Sequence, residues 1–346
     1  MMRYTIRYVS LLAGMLTVFS SCEHKDLCFD HEVHAPKSDV HVKAVYEKEW
    51  EHTCEGGPDW EQYPAWESRF GMEYHELCPD APDGLRVQVY NEDGTNNVLN
   101  VAPEGDIVRM HPGEHSLLLY NNDTEYIVFD DMNSFASAKA TTRTRTRASY
   151  VGNPYMENAA ENTVNAPDML YGNYIENYTA ERKTEVNELP VTMHPLVFTY
   201  LVRYEFSHGL EYVALARGAL AGMAGAVWLN SGRTSEETAT ILYDCSVEDF
   251  GAQACVHSFG IPDYPNEHYT TRAERRYGLN LEVRLKNGKV KSFDFDVTEQ
   301  VAAQPQGGVI VVNGIEISDE DGTEGGSGFE VDVEDWGEYE DIELPL

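Results

Sequence analysis

Residues 116–129 read SLLLYNNDTEYIVF. Two β-prone runs, Ser116–Tyr120 and Glu125–Phe129, flank the polar tetrapeptide Asn121-Asn-Asp-Thr124. Asn and Asp tolerate left-handed backbone, so the stretch reads as strand, turn, strand. The same grammar continues upstream. Leu85–Tyr90 is a strand that ends in the turn Asn91-Glu-Asp-Gly94, and Ile107–Met110 is a short strand ahead of His111-Pro-Gly113. Val40, Val42, Ala44 and Tyr46 alternate with polar residues, the period of a half-buried strand.

Downstream, Leu189–Met193, Leu196–Phe206, Thr240–Cys245, Val256–Phe259 and Gly308–Val312 are further strands. Leu279–Leu285 and Lys291–Val297 form a hairpin through Asn287-Gly288. Val213–Leu229 is apolar and rich in Ala and Gly. Its Gly218 and Gly222 fit a GxxxG spacing, but the run is short and holds Arg217, so it reads as buried core and not as a membrane span. The chain is therefore expected to be all-β.

Two stretches break the pattern. Glu47–Pro82 carries Trp50, Trp60, Trp66 and four prolines among acids. It suits either ligand contact, glycan above all, or a small satellite core on a sandwich. Thr142–Arg147 alternates Thr and Arg and reads as an edge strand whose charges deter aggregation. Gly152–Asn165 is polar and is expected to hold the domain boundary. The resulting map is a first domain at 39–148 with the Trp-rich insertion 47–82, a linker at 149–166 and a second domain at 167–346.

The N-terminus shows how the chain is held. Arg3 and Arg7 precede the apolar run Tyr8–Phe19, and Ser20-Ser21 lead directly to Cys22. A dozen apolar residues are too few to span a bilayer, where roughly 20 are needed. The segment 1–21 reads as a lipoprotein signal peptide, with Cys22 acylated and held in outer-membrane lipid. Residues 22–38, with His24, His31 and His34, read as a flexible tether without the i, i+4 spacing of a helical zinc site.

The formal charge is −34 at pH 7. Losing Arg3 and Arg7 with the signal takes it to −36. That balance excludes nucleic acid as a partner, since phosphate binding needs a basic face. Beyond Cys22 five cysteines remain. The pairings Cys54–Cys78 and Cys245–Cys255 are expected, with Cys28 left free. The tail from Glu316 holds 13 acids and no base, yet Phe329, Val331 and Val333 alternate with acids, as Ile342 and Leu344 do again, so it reads as strand. Asp319–Glu324 fails the EF-hand pattern and reads as a turn, and no metal site is expected.

No G-x-S-x-G, H-E-x-x-H, Walker or G-x-G-x-x-G sequence is present, so no catalytic residue and no cofactor is assigned. A turn-punctuated strand protein of this kind fits a binding or structural role better than an enzyme.

Tyr120–Ile127, Thr142-Arg143, Pro167-Asp168, Leu170-Tyr171, Gly308–Val312 and Gly328–Trp336 together resemble a Bacteroidota family of fimbrillin-like lipoproteins, similar to major-fimbrium anchor subunits. The resemblance implies two tandem antiparallel β-sandwich domains of transthyretin-like type. It also implies a fimbrial anchor or accessory, adhesin-like role at the cell surface. In that family donor-strand addition joins subunits: a neighbour's extended segment completes an open sheet. Polymerising members lose their first strand by cleavage after an arginine. Here no arginine lies between Cys22 and Arg69, which resembles a retained anchor. The competing expectation is a surface lipoprotein that binds glycan or host protein and builds no fibre.

Overall fold

Leu117 and Leu119 point one way and Leu118 and Tyr120 the other, and all four are buried. An apolar run with both faces covered belongs between two layers, and that is where the opening stretch lies. The computed structural model describes residues 38–155, 161–183, 185–265, 275–323 and 336, and the backbone of 342–343. Cys22, Cys28, the signal, the tether residues before Ser38 and the expected strand at 329–333 lie outside the described residues.

The strands in chain order are β1 (Ser38–Tyr46), β2 (Leu85–Asn91), β3 (Asn96–Val101), β4 (Ile107–Met110), β5 (Gly113–Asn121), β6 (Ile127–Asp130) and β7 (Lys139–Thr142). Next come β8 (Arg145–Thr146), β9 (Asn162–Asn165), β10 (Tyr171–Ala180), β11 (Asn187–Pro195), β12 (Phe198–His208), β13 (Val213–Ala224) and β14 (Ala226–Trp228). The last are β15 (Thr238–Glu248), β16 (Gly251–Ser258), β17 (Gly278–Leu285), β18 (Val290–Asp296), β19 (Gly308–Glu316) and β20 (Ile342–Glu343). Only short helical turns interrupt them, and among the described residues no helix is long and apolar enough to cross a membrane.

The first sheet runs β3-β2-β5-β10-β11-β1-β4. It turns back on its own apolar face, because Val40 and Val42 of β1, Val87 of β2, Leu117 and Leu119 of β5 and Met193 of β11 share one core. The second sheet runs β18-β17-β13-β15-β16-β12-β19, with β9 added beside β15. Its core gathers Tyr200, Val202 and Tyr204 of β12 with Leu220, Ile241, Leu281 and Ile310. A third core joins the two layers through Leu118, Tyr120, Ala140, Leu170, Val227 and Phe259. Pairing is mostly antiparallel, with parallel contacts of β1 with β11, β12 with β19 and β15 with β9.

The strand-turn-strand at 116–129 is real, but its halves do not pair. β5 bonds β2 and β10, whereas β6 bonds β7 in a small sheet with β14. Asn121–Thr124 is thus a crossing between layers. Asp168 holds it, accepting the backbone N–H of Glu125, Tyr126 and Ile127 at 2.8, 2.5 and 3.2 Å. The Asn121 side chain accepts from the Tyr171 N–H and donates to the Met169 carbonyl. Three of the stretches that carry the family resemblance, Tyr120–Ile127, Pro167-Asp168 and Leu170-Tyr171, therefore meet at one structural joint.

The expected boundary at 149–166 precedes β10 and β11, yet both strands belong to the first sheet. The chain visits the second layer with β9, returns for β10 and β11, and leaves the first sheet between Pro195 and Phe198. Composition marks a polar segment but not which sheet the next strand joins. The Thr142–Arg147 run is also not an exposed edge. Arg147 is 4% exposed and donates to the Gly218 carbonyl at 3.1 Å, and Arg145 reaches the Leu242 carbonyl and the Asp244 carboxylate. The arginines latch the first half of the chain to β13 and β15.

The GxxxG spacing serves a strand. A Cβ at Gly218 would sit 2.4 Å from the Tyr243 ring, and Gly222, at φ +89°, lies in the register shift between Leu220 and Met223. The Asn287-Gly288 hairpin forms as read, with Gly278 opposite Asp296 and Arg284 opposite Val290. Asp319 is engaged by His208 and Tyr212, and Asp321 by Lys291 and Ser318, so these carboxylates bind side chains.

Candidate functional site

The first strand fills a slot inside a sheet. Val40 to Tyr46 pair in parallel with Asn187 to Met193 of β11, and Ser38 to His41 pair antiparallel with Met110 to Ile107 of β4. Past the end of β4, the Val42 N–H donates to the Asp106 carbonyl and the Ala44 N–H to that of Glu104. The inward face is dry: Val40 and Val42 are 0% exposed. The outward face carries Lys43, paired with Glu188 at 2.8 Å, and the exposed Val45. Tyr46 closes the end, donating to the Pro103 carbonyl and meeting the Tyr171 ring edge-on at 5.1 Å. Without β1, two hydrogen-bonding edges and an apolar strip would face water. In strand addition generally, main-chain hydrogen bonds give affinity and pockets for alternate side chains give specificity. The alternation is legible in the sequence, but the parallel partner, about 150 residues downstream, is not.

The Trp-rich segment continues from β1 and crosses to the other sheet. Trp50 and Trp66 are 1% and 6% exposed, and they pack with Phe70 on Leu201 of β12 and Val309 of β19. Trp60 stacks at their rim and donates from its indole to Gln304 Oε1 at 2.6 Å. The Trp50 carbonyl accepts from the Thr199 N–H, and the His52 N–H donates to the Gln306 carbonyl. Arg69 pairs with Glu205 at 2.6 Å, and Arg203 stacks 3.3 Å from the Phe250 ring. This corrects the expectation that Trp50, Trp60 and Trp66 contact a ligand: they form the satellite core, and it covers the outer face of the second sheet, not the first domain. The physical reason is alternation. Tyr200 and Val202 face the main core, which leaves Leu201 pointing out and in need of cover.

Glu51 is buried beneath that cover at 6% exposure and accepts the Tyr74 hydroxyl at 2.8 Å. Burial pushes its carboxyl from 4.5 up to about 7, against the opposing pull of the Tyr74 bond. The folded state therefore holds this proton more tightly than the unfolded chain. The cost of ionising it is absent below pH 4.5, grows as pH rises and is complete above about 7. We expect Glu51→Gln to remove up to about 3 kcal/mol of stability loss across that window. Melting temperatures of wild type and variant should converge at low pH and separate at neutral pH and above. Curves that stay parallel would refute it.

The cysteine pairings are not formed: Cys54, Cys78, Cys245 and Cys255 are all free. Ser246 faces Gln253, which puts Cys245 level with Ala254, both on the second core. Cys255, one residue on, is exposed on the opposite face. Cys54 Sγ turns to the Ala303 carbonyl at 3.3 Å, and Cys78 Sγ lies 3.9 Å from His75 Nδ1.

Open cavities among the described residues were not foreseen. One of about 760 Å³ lies where the sheets meet, walled by Tyr174, Phe198 and Gln306. Within it the His194 ring lies 2.8 Å from the Glu47 carboxylate, in hydrogen-bond contact. Another, about 540 Å³, lies beside Trp228. Trp228 sits at the end of the Ala- and Gly-rich run read as uniformly buried, and only the short alternation Ala226-Val-Trp228 hints at an outward ring.

Comparison with known proteins agrees with this architecture. The profile of a family described as a domain of unknown function (DUF5119) matches residues 65–244. A Bacteroides ovatus protein described as "Putative fimbrium anchoring subunit Fim4B" is 24% identical over 313 residues, 83% of this chain and 92% of that one. The crystal structure of a "putative adhesin" from B. ovatus superposes with a TM-score of 0.58 at 22% identity, covering 86% of this chain and 97% of that one, and so shares the fold. The fimbrial anchor protein Mfa2 from Porphyromonas gingivalis gives a TM-score of 0.41 at 10% identity over 80% of this chain and 90% of that one.

Proposed function

The chain belongs to the DUF5119 family, and on that premise we propose that it is a structural subunit of a cell-surface fimbrium, an anchor or accessory, adhesin-like component held in the outer membrane by an acylated Cys22. The observation that carries this reading is the built-in first strand. β1 is bonded on both sides and buried on its inner face, and no arginine precedes it after Cys22. A subunit that keeps this strand stays joined to whatever holds residue 22, as an anchor must. The B. ovatus relative bears the description of a fimbrium anchoring subunit, which supports the same role. Contact with neighbouring subunits would then use strand addition at sheet edges.

Immunogold labelling of intact cells tests the reading. Gold is expected at the base of filaments. Gold scattered over a filament-free envelope would favour the competing reading, a surface lipoprotein that binds glycan or protein. Cys22→Ala is expected to move the protein from the membrane pellet to the soluble fraction, and a variant that still pellets with membrane would remove the lipid anchor from the proposal.

A further inference from the structure

An outermost strand presents a row of backbone N–H and C=O groups that a further strand could pair with, and proteins commonly guard such rows. This chain guards most of its own. Side-chain amides take the outer row of β19. Gln300 and Gln304, in and just after the short helix Thr298–Ala302, each donate to a carbonyl and accept an N–H, at Val311 and Val309 respectively, between 2.7 and 3.1 Å. β18 carries Lys291, Asp294 and Asp296, and β4 and β6 have four residues each. The Arg233 carbonyl and the Ser235 N–H close the free side of β14. β3 differs. Asn96-Asn-Val-Leu-Asn-Val101 ends the first sheet and holds neither charge nor proline. Among the described residues nothing bonds its outer backbone row.

The hairpin from β2 fixes which groups face out. The Asn91 N–H donates to the Thr95 carbonyl at 2.8 Å, so Asn91 and Thr95 form a hydrogen-bonded pair. Such pairs alternate with non-bonded ones along an antiparallel ladder. Val89 with Asn97, Val87 with Leu99 and Leu85 with Val101 are therefore bonded pairs. Asn96, Val98 and Asn100 turn both N–H and C=O away from β2. Their side chains also share one face. Leu99 and Val101 pack on the first core, and alternation sends Asn96, Val98 and Asn100 to the other side. Val98, at the centre, is 50% exposed. This face reads Asn, Val, Asn, the same in both directions. Strand propensity does not explain it, since Asn is depleted in strands.

We propose that β3 pairs antiparallel with β3 of a second copy of this chain, about a two-fold axis at Val98. That register sets Val98 against Val98 and Asn96 against Asn100, and each facing pair exchanges both of its backbone bonds. Every outward N–H and C=O of the three residues is then satisfied. The side chains match as well. Asn100 Oδ1 already accepts from Arg86 Nε at 2.9 Å and from Asn122 Nδ2 at 3.3 Å, which leaves its own Nδ2 to donate. The Asn96 amide has no partner among the described residues, so its oxygen is available to Asn100 of the second copy. The palindrome selects a second copy over an unrelated strand, because only a copy is bound to match it in the reversed direction. Charge sets the conditions. Glu92 and Asp93 in the turn come alongside Glu104 of the other copy, and each chain carries −34. Pairing is therefore weakest at low salt and strengthens as salt screens the acids. One strand pair buries less than the roughly 1,200 Å² of a standard interface, so the dimer is a weak one. β3 and the β1 slot lie toward opposite ends of the sheet order, and the pairing does not depend on the fimbrial reading.

The test is sedimentation velocity of the full-length chain in density-matched detergent, at about 0.01 and about 1 M salt, where the screening length is roughly 30 and 3 Å. A reversible, concentration-dependent dimer is expected, stronger at high salt. Val98→Glu sets like charges opposite each other at the axis and is expected to weaken the dimer roughly tenfold. Its melting temperature should stay close to that of wild type, because the side chain is half exposed and outside the core. The register has its own readout. Residue 98 alone faces its own copy, within the Cα separation that a disulfide spans. Mild oxidation of Val98→Cys is therefore expected to join two copies of the peptide that contains residue 98, as read by mass spectrometry of the digest. Asn97→Cys, whose side chain points to the other face, is not expected to link to itself. A monomer at every concentration and salt would overturn the proposal. So would a dimer that weakens with salt or ignores Val98→Glu, or self-linking no more frequent at residue 98 than at residue 97. Filament labelling does not enter these readouts, so they fail or succeed apart from the fimbrial reading.

Discussion

Replacing Arg217 by leucine is expected to destabilise the second sheet by about 3–5 kcal/mol, because it strands a buried carboxylate. Arg217 and Glu282 are directly opposite on β13 and β17, 1% and 3% exposed, and 3.0 Å apart. Ser149 completes the cluster, donating to Glu282 at 2.7 Å and accepting from Arg217 at 3.0 Å, while the Trp336 ring lies against the guanidinium. With the arginine gone, Glu282 keeps one hydroxyl and loses its counter-charge in a dry setting. The double variant Arg217→Leu/Glu282→Leu removes both charges and is expected to be clearly more stable than the single one. Urea unfolding of the three proteins decides this. A single variant no less stable than the double would show that the pair is not electrostatically buried.

The second large effect is Trp50→Ala, which should cost about 3–5 kcal/mol, the range for deleting a buried aromatic side chain. Trp50 is the hinge of the satellite core. Its ring contacts Trp66 and Tyr74 at centroid distances of 5.9 and 5.2 Å, and its carbonyl holds β12 through Thr199. Its loss opens a cavity over Leu201 and loosens residues 51–78. Limited proteolysis should therefore cut this segment much faster in the variant than in wild type, together with a lowered melting temperature. If Trp50→Ala kept wild-type stability and protection, the ring would not be a structural element and the ligand-contact reading would return.

The strands at 85–90, 107–110 and 116–120 and the hairpin through Asn287-Gly288 were legible because each depends on residues within a few positions: period-two alternation and turn chemistry act locally. Even there, alternation could not say which strands pair. β5 and β6 look like a hairpin and lie in different sheets, because Asp168, more than 40 residues on, pins the connecting backbone. The arginines of 142–147 read as solvent-facing because charge usually is. Their partners, carbonyls of β13 and β15, exist only once the chain has folded. The cysteines illustrate the same limit: nearness in sequence suggested Cys245–Cys255, and one residue of register placed them on opposite faces.

Local pattern, then, was enough for the all-β class, for most strand positions and for a first strand fit to be buried, since composition and periodicity act through nearest neighbours. Tertiary structure alone decided that β1 lies parallel to β11, that the tryptophans of 50–66 roof the second sheet, and that Trp228 opens on a cavity. Each of these depends on which distant strand arrives alongside. That choice is made by the shared burial of three cores over separations that no local rule encodes.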